Sequence, residues 1–109
     1  MGALSGIKVV DLTSMVSGPV AATILADQGA EVAKVEPLHG EQMRYLGPSD
    51  QGTPPTFFSC NRGKKSIAVD LKSEAGRTIM WRLIEQADVL IQNFREGSII
   101  LLLGSLVAV

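Results

Sequence analysis

Short apolar runs alternate along this chain with segments whose apolar residues recur at helical spacing. Residues 7–12, 32–35 and 88–92 form runs rich in Val, Ile and Leu, and residues 66–71 alternate apolar with polar, as strands do. Between the first and second runs, and between residues 66–71 and 88–92, apolar residues recur at the spacing of a helix. This alternation of strand and helix predicts an α/β protein with an open, mostly parallel sheet and flanking helices.

The predicted helices begin and end at residues with marked backbone preferences. Gly18-Pro19 predicts a helix start with Pro19 at the first helical position, where its missing N–H costs nothing, and Gly29 predicts a left-handed stop. The resulting strand–helix–strand segment is about 30 residues long, the length of a βαβ unit with parallel strands. Further along, Ser73 is the predicted N-cap of a helix that ends near Ala87.

Two segments lack a sustained period. Residues 36–55 are rich in Gly, Pro and polar residues, which predicts a long loop, with a short helical or extended piece at residues 56–59. Residues 98–109 form an uncharged apolar tail, which is too short to cross a bilayer that needs about 20 helical residues. We interpret this tail as part of an unfinished core.

Composition excludes several classes of protein. The chain has 109 residues and a net charge of −1, so it has the size of at most one domain and no overall charge that would favour nucleic acid or an anionic membrane. A single cysteine, Cys60, rules out an intrachain disulfide, and with one histidine, His39, it gives little support for a metal site. The N-terminus lacks the features of a signal peptide, which predicts a cytoplasmic protein.

Three places carry candidate chemistry. The strand–turn–helix at residues 11–22 is a possible anion site, and Glu36 at the end of the second strand suggests a ribose-binding acid. A dinucleotide fingerprint needs three glycines, however, and this turn has only Gly18, so NAD binding is disfavoured against a plain helix start.

The other two places are basic or amide-rich loops. The turn at residues 62–65 is the only concentrated basic stretch, and it is either a solvated turn or a contact for ligand phosphates. Residues 93–95, Asn-Phe-Arg, directly follow a predicted strand, where ligands of open α/β sheets bind. Either these residues hold a purine and its phosphates, or they form an ordinary loop in which Phe94 packs inward.

Taken in order, these motifs resemble the amino-terminal region of the family III CoA-transferases, which include formyl-CoA transferase, carnitine-CoA transferases and α-methylacyl-CoA racemase. The resemblance covers residues 4–97 and rests on the following segments: Gly6 to Thr13, Gly18-Pro19, Leu25 to Val32, Lys34 to Pro37, Asn61 to Lys72, Ala87 to Leu90 and Asn93 to Gly97.

The resemblance implies a Rossmann-like fold and an enzyme that moves CoA between carboxylic acids through an acyl-aspartyl intermediate. It implies coenzyme A or acyl-CoA as a substrate, with no tightly bound cofactor, and a full-length homodimer of interlocked chains. Carried over position by position, it implies CoA contacts at Val16, Ser17, Val69, Asp70, Leu71, Lys72, Asn93, Phe94 and Arg95.

Departures from the family pattern leave alternatives open. Pro37 stands where some members have an arginine, which leaves that phosphate or adenine contact open, and Val16 stands where some transferases have glutamine, which leaves the racemase branch open. Residues 98–109 replace the expected acid-and-base helix, and the catalytic aspartate is expected beyond residue 109. We therefore expect an incomplete fold that is inactive alone, and either a non-catalytic CoA- or nucleotide-binding module or a non-functional truncated product is an alternative.

Overall fold

The computed structural model describes residues 2–47 and 52–99. Four strands form one sheet: β1 (Lys8–Asp11), β2 (Glu31–Glu36), β3 (Lys65–Ala68) and β4 (Val89–Ile91). The order in the sheet is β3-β2-β1-β4, and every neighbouring pair is parallel. This is the order of the first four Rossmann strands, and it places the switch point between β1 and β4. The predicted parallel α/β sheet with flanking helices is confirmed.

Three α-helices connect the strands: α1 (Ser17–Asp27), α2 (Pro55–Asn61) and α3 (Glu74–Gln86). The N-cap of α3 is Ser73, as predicted, because its hydroxyl accepts a 2.9 Å hydrogen bond from the N–H of Gly76. The start of α1 differs from the prediction. The helix begins two residues before Pro19, whose missing N–H still falls in the first turn, where no intrahelical partner exists.

The core consists of two apolar clusters, one on each face of the sheet. Val9 and Val10 point to opposite faces because side chains alternate along a strand. One cluster combines Val10 with Met80 of α3, and it also includes Leu12, Val35, Val69 and Ile99. The other combines Val9 and Val32 with Ala22 of α1. The helices therefore lie on both faces and leave the strand ends accessible.

One predicted strand boundary was wrong. Strand β3 ends at Ala68 rather than at residue 71, because the carboxylate of Asp70 accepts the N–H of Lys72 and turns the chain away from the ladder. The long loop after β2 contains a 3₁₀ helix at Gln42–Tyr45 and ends in α2, which begins at Pro55.

The predicted apolar tail lies outside the described residues from position 100 onward. None of the helices in residues 2–47 and 52–99 is long and apolar enough to cross a membrane.

Candidate functional site

A cavity of about 600 Å³ opens at the carboxyl edge of the sheet. Its walls come from the segments that follow three strands and from one residue after the fourth: residues 12–14 after β1, residues 35–42 at the end of β2, residues 69–72 after β3, and Phe94 after β4. Cavities of this size are typical of small-molecule sites, and this edge is where open α/β sheets bind ligands.

The predicted site residues divide into two groups around this cavity. Val69, Asp70, Leu71, Lys72 and Phe94 line it. Val16, Ser17, Asn93 and Arg95 are not among its lining residues. Val16 is the half-exposed N-cap of α1, and the side chain of Asn93 is hydrogen-bonded to the backbone of Ser14.

Lys72 is the cation best placed to meet a ligand. It lines the cavity, its side chain is exposed, and it forms no ion pair among the residues that the structure describes. A free ammonium group at the rim of an apolar cavity suits a phosphate or carboxylate.

One wall of the cavity is held in place by Glu36. The guanidinium of Arg44 donates two hydrogen bonds to its carboxylate, from Nε at 2.6 Å and from Nη2 at 2.7 Å. The backbone N–H of Glu41 and the hydroxyl of Ser66 also donate to it. Because both oxygens are engaged, this carboxylate cannot serve as the ribose-binding acid of a dinucleotide site without breaking these bonds.

The same wall carries a second buried ion pair. Lys34 lies on β2 with its ammonium 3.2 Å from Oε1 of Glu41, and it donates a 3.2 Å hydrogen bond to the carbonyl of Thr13. The contact with Oε1 is an ion pair without hydrogen-bond alignment. Arg44 also stacks on Phe57, with 4.1 Å from its guanidinium carbon to the ring centroid. Both buried acids that line the cavity are thus neutralised, which leaves it compatible with an anionic ligand.

The Glu36 contacts predict a specific pH dependence of stability. Burial by itself raises the pKa of Glu36, but the hydrogen bonds from Arg44, Ser66 and the Glu41 N–H outweigh it and lower this pKa from 4.5 to about 2. Because the folded-state pKa is the lower one, the stabilisation is present above about pH 5 and is lost as the pH falls towards 2. Its size is on the order of 3 kcal/mol.

Urea denaturation of the wild type and of Glu36→Gln between pH 2 and 6 measures this contribution. We expect the stability of the variant to change less with pH than that of the wild type, by the contribution of Glu36. Glu31→Gln is the matched control on the same strand, because Glu31 is exposed and 3.8 Å from Lys65. If the free energy of unfolding changes equally with pH in Glu36→Gln and in the wild type, Glu36 is not the source of this pH dependence.

The basic turn at residues 62–65 has a structural role that neither sequence interpretation included. It precedes β3, whereas the cavity lies beyond the other end of that strand. Arg62 pairs with Asp27 at 2.6 Å on the surface, and Lys64 is buried against Asp11 at 2.7 Å. Burial lowers the pKa of Lys64, against the opposing effect of Asp11. Lys64 is thus neither solvated nor directed at the cavity.

Sequence reasoning missed these buried ion pairs, although one signal was available. Lys34 stands between apolar residues in a strand that helices cover on both faces, and such a lysine needs a buried partner. Nothing comparable marks Glu41 or Arg44, which lie in the segment without a period. Cys60 is buried, as a small apolar side chain of the interior is. No three of His, Cys, Asp and Glu come together as a metal site within the described ranges.

Comparison with known proteins identifies the family. The model for CoA-transferase family III matches residues 4–102. Acetyl-CoA:oxalate CoA-transferase of Acetobacter aceti is 45% identical over 98 residues, which are 88% of this chain and 25% of that protein. Succinyl-CoA:mesaconate CoA-transferase of Haloarcula hispanica is 39% identical over 103 residues, which are 90% of this chain and 26% of that protein.

The fold agrees with a solved structure. The crystal structure of Rv3272 from Mycobacterium tuberculosis matches with a TM-score of 0.87 and 43% identity, over 95% of this chain and 29% of that one. The chain spans about a quarter of the length of the curated relatives it matches. On the family match over residues 4–102, this chain belongs to CoA-transferase family III.

Proposed function

We propose that this chain forms part of the CoA-binding region of an enzyme that moves CoA between carboxylic acids. The observation that carries the proposal is the cavity at the carboxyl edge of the sheet, where residues 69–72 and Phe94 come together. Membership of the family supplies the chemical class of ligand, and the cavity supplies a place for it.

The chemistry of the cavity suits the nucleotide end of CoA. The half-buried ring of Phe94 and the side chains of Leu71 and Val69 offer apolar surface to an adenine. Lys72 offers a charge to one of the phosphates. Two of the acids that line the cavity, Glu36 and Glu41, are already paired, so they repel those phosphates little.

A dinucleotide fits this site less well than CoA. The turn between β1 and α1 has a single glycine, Gly18, whose Cα packs so tightly on Thr13 that an added Cβ would lie 2.6 Å from the Cγ2 atom. That glycine therefore serves the packing of helix on strand, and no further glycine brings the backbone close to a pyrophosphate. With Glu36 already bound by Arg44, the usual ribose contact is missing too.

For the whole enzyme we propose transfer rather than racemisation, because the relatives named above are CoA-transferases. They use different acids, oxalate in one and mesaconate in the other, and we leave the acids of this protein unassigned. The acyl-aspartyl intermediate, the interlocked dimer and the cytoplasmic location remain predictions. No residue of the described part is assigned the covalent step.

Titration calorimetry of the purified chain with CoA and with NAD tests the proposal, with circular dichroism as the check that the chain is folded. We expect CoA to bind and NAD to give no measurable heat of binding. Lys72→Ala is expected to weaken CoA binding about tenfold, since it removes a charge-assisted contact to a phosphate.

Lys8→Ala is the matched control, because it removes the same charge from the opposite edge of the sheet. We expect it to change the affinity less than about twofold, since exposed and distant charges are screened. A folded chain that binds neither ligand, or that loses equal affinity in both variants, would contradict the proposed site.

A further inference from the structure

The turn between β1 and α1 contains an unusual backbone conformation. Met15 has φ 71°, and it is the one residue other than glycine with a positive φ in residues 2–47 and 52–99. A side chain at Cβ disfavours this left-handed region, so the conformation persists only where surrounding contacts impose it. The side chain of Met15 is 38% exposed, so burial in the core does not impose it.

Hydrogen bonds of the two residues before Met15, Thr13 and Ser14, constrain the chain that leads into it. On the strand side, the carboxylate of Asp11 accepts hydrogen bonds from the N–H of Thr13, at 2.8 Å, and from its hydroxyl. Next to Met15, the side chain of Asn93 engages Ser14 twice. Its Oδ1 accepts the Ser14 N–H at 3.1 Å, and its Nδ2 donates to the Ser14 carbonyl at 2.9 Å.

This pair of hydrogen bonds requires a side-chain amide. The backbone of Ser14 offers one donor and one acceptor, and an asparagine side chain matches both in a single orientation. It joins the turn to the segment after β4, 79 residues further along the chain. Ser14 in turn lines the cavity, together with Thr13. The shape of this wall thus depends on a side chain that does not line the cavity itself.

We infer that Asn93 is a positioning residue, which holds the Ser14–Met15 turn in its left-handed shape and so sets the β1 wall of the cavity. Its side chain acts on the ligand through the turn instead of by direct contact. The inference gives Asn93 a role different from the CoA contact that family resemblance implies. Its effect on CoA affinity rests on the proposed function, while its effect on the turn does not.

Variants at positions 93 and 15, made singly and together, distinguish a positioning role of Asn93 from a direct contact with CoA. Asn93→Ala removes both hydrogen bonds, and we expect CoA affinity to fall about tenfold and the melting temperature to fall by about 5 °C. Met15→Gly lets the turn adopt positive φ without help, because glycine carries no Cβ. In the double variant Asn93→Ala/Met15→Gly, we expect at least half of the lost CoA affinity and at least half of the lost melting temperature to be restored. A direct ligand contact would not be restored in this way.

Gln92→Ala is the matched control for this coupling. The side chain of Gln92 accepts one hydrogen bond from the Phe94 N–H in the same segment, whereas the hydrogen bonds to the Ser14 backbone come from Asn93. Met15→Gly should therefore not restore what Gln92→Ala loses. If Asn93→Ala does not fold, Asn93→Asp replaces it: it keeps the acceptor for the Ser14 N–H and puts a negatively charged acceptor in place of the donor, and Met15→Gly is again expected to restore part of the loss in affinity and in melting temperature.

The inference is overturned if Asn93→Ala changes neither affinity nor melting temperature, or if Met15→Gly restores neither. If the folded wild type does not bind CoA, the proposed function fails, and melting temperatures alone then decide the inference. In that case, restoration of the Asn93→Ala loss by Met15→Gly supports a positioning role, and its absence overturns it.

Discussion

Replacing Lys64 with Met is expected to lower the free energy of unfolding by about 3–5 kcal/mol. The ammonium of Lys64 is 2.7 Å from Asp11, and both side chains are almost completely buried. It also donates to the carbonyl of Pro19 at 2.9 Å and to the amide oxygen of Asn61 at 2.8 Å. Methionine fills a similar volume, but it leaves the Asp11 carboxylate without a countercharge in the interior.

Urea denaturation followed by circular dichroism measures this loss. Lys65→Met is the matched control, because Lys65 is the next residue, is 84% exposed, and lies 3.8 Å from Glu31; we expect it to cost at most about 1 kcal/mol. If Lys64→Met is unfolded in water, adding Asp11→Asn should recover part of the stability, since no buried charge then remains unpaired. Equal effects for Lys64→Met and Lys65→Met would contradict a structural role for the buried pair.

Replacing Gly76 with Ala is expected to lower the free energy of unfolding by about 3 kcal/mol. Gly76 lies in the first turn of α3, where alanine normally gains up to about 1 kcal/mol over glycine. Here a Cβ would lie 2.6 Å from the carbonyl carbon of Asp70 and closer still to its oxygen. The obstacle is backbone, so the turn at residues 70–73 has to move, and with it a wall of the cavity.

Thermal and urea unfolding of Gly76→Ala give the loss of stability, and a CoA titration gives the effect on the cavity. Gly6→Ala is the control for adding a methyl group. Gly6 has φ 88° with no heavy atom within 4 Å of an added Cβ, so only the backbone conformation opposes the substitution, at about 1 kcal/mol. The packing argument fails if Gly76→Ala is as stable as the wild type.

Hydrophobic periodicity was enough to predict the sheet and its helices. The apolar runs at residues 7–12, 32–35 and 88–92 all contain strands, because strands covered by helices on both faces need apolar side chains on both. Local polar contacts decided the boundaries that were missed. Asp70 ends β3 early by bonding the Lys72 N–H, and no window of hydrophobicity contains that information.

The position of the cavity was predictable for a related reason. Parallel strands bring their carboxyl ends to one edge, so residues 69–72 and Phe94 were expected near each other, and they line one cavity. The ion pairs were not predictable, because their partners are far apart in sequence or lie in the aperiodic segment. Lys64 and Asp11 are 53 residues apart, and they are brought together by the pairing of β3 with β2 and of β2 with β1 and by the packing of α2 on α1. The basic turn was therefore open to a phosphate-binding interpretation that the fold does not support.

Binding of CoA at the carboxyl edge of this sheet can be located residue by residue from the backbone amide chemical shifts of the labelled chain during a CoA titration. We predict that the largest changes fall at residues 69–72, at residues 37–42 and at Phe94. Lys64, Lys65 and the residues of α3 away from its first turn should change little. Changes centred on residues 62–65, or a folded spectrum that CoA leaves unaltered, would show that CoA does not bind at this edge.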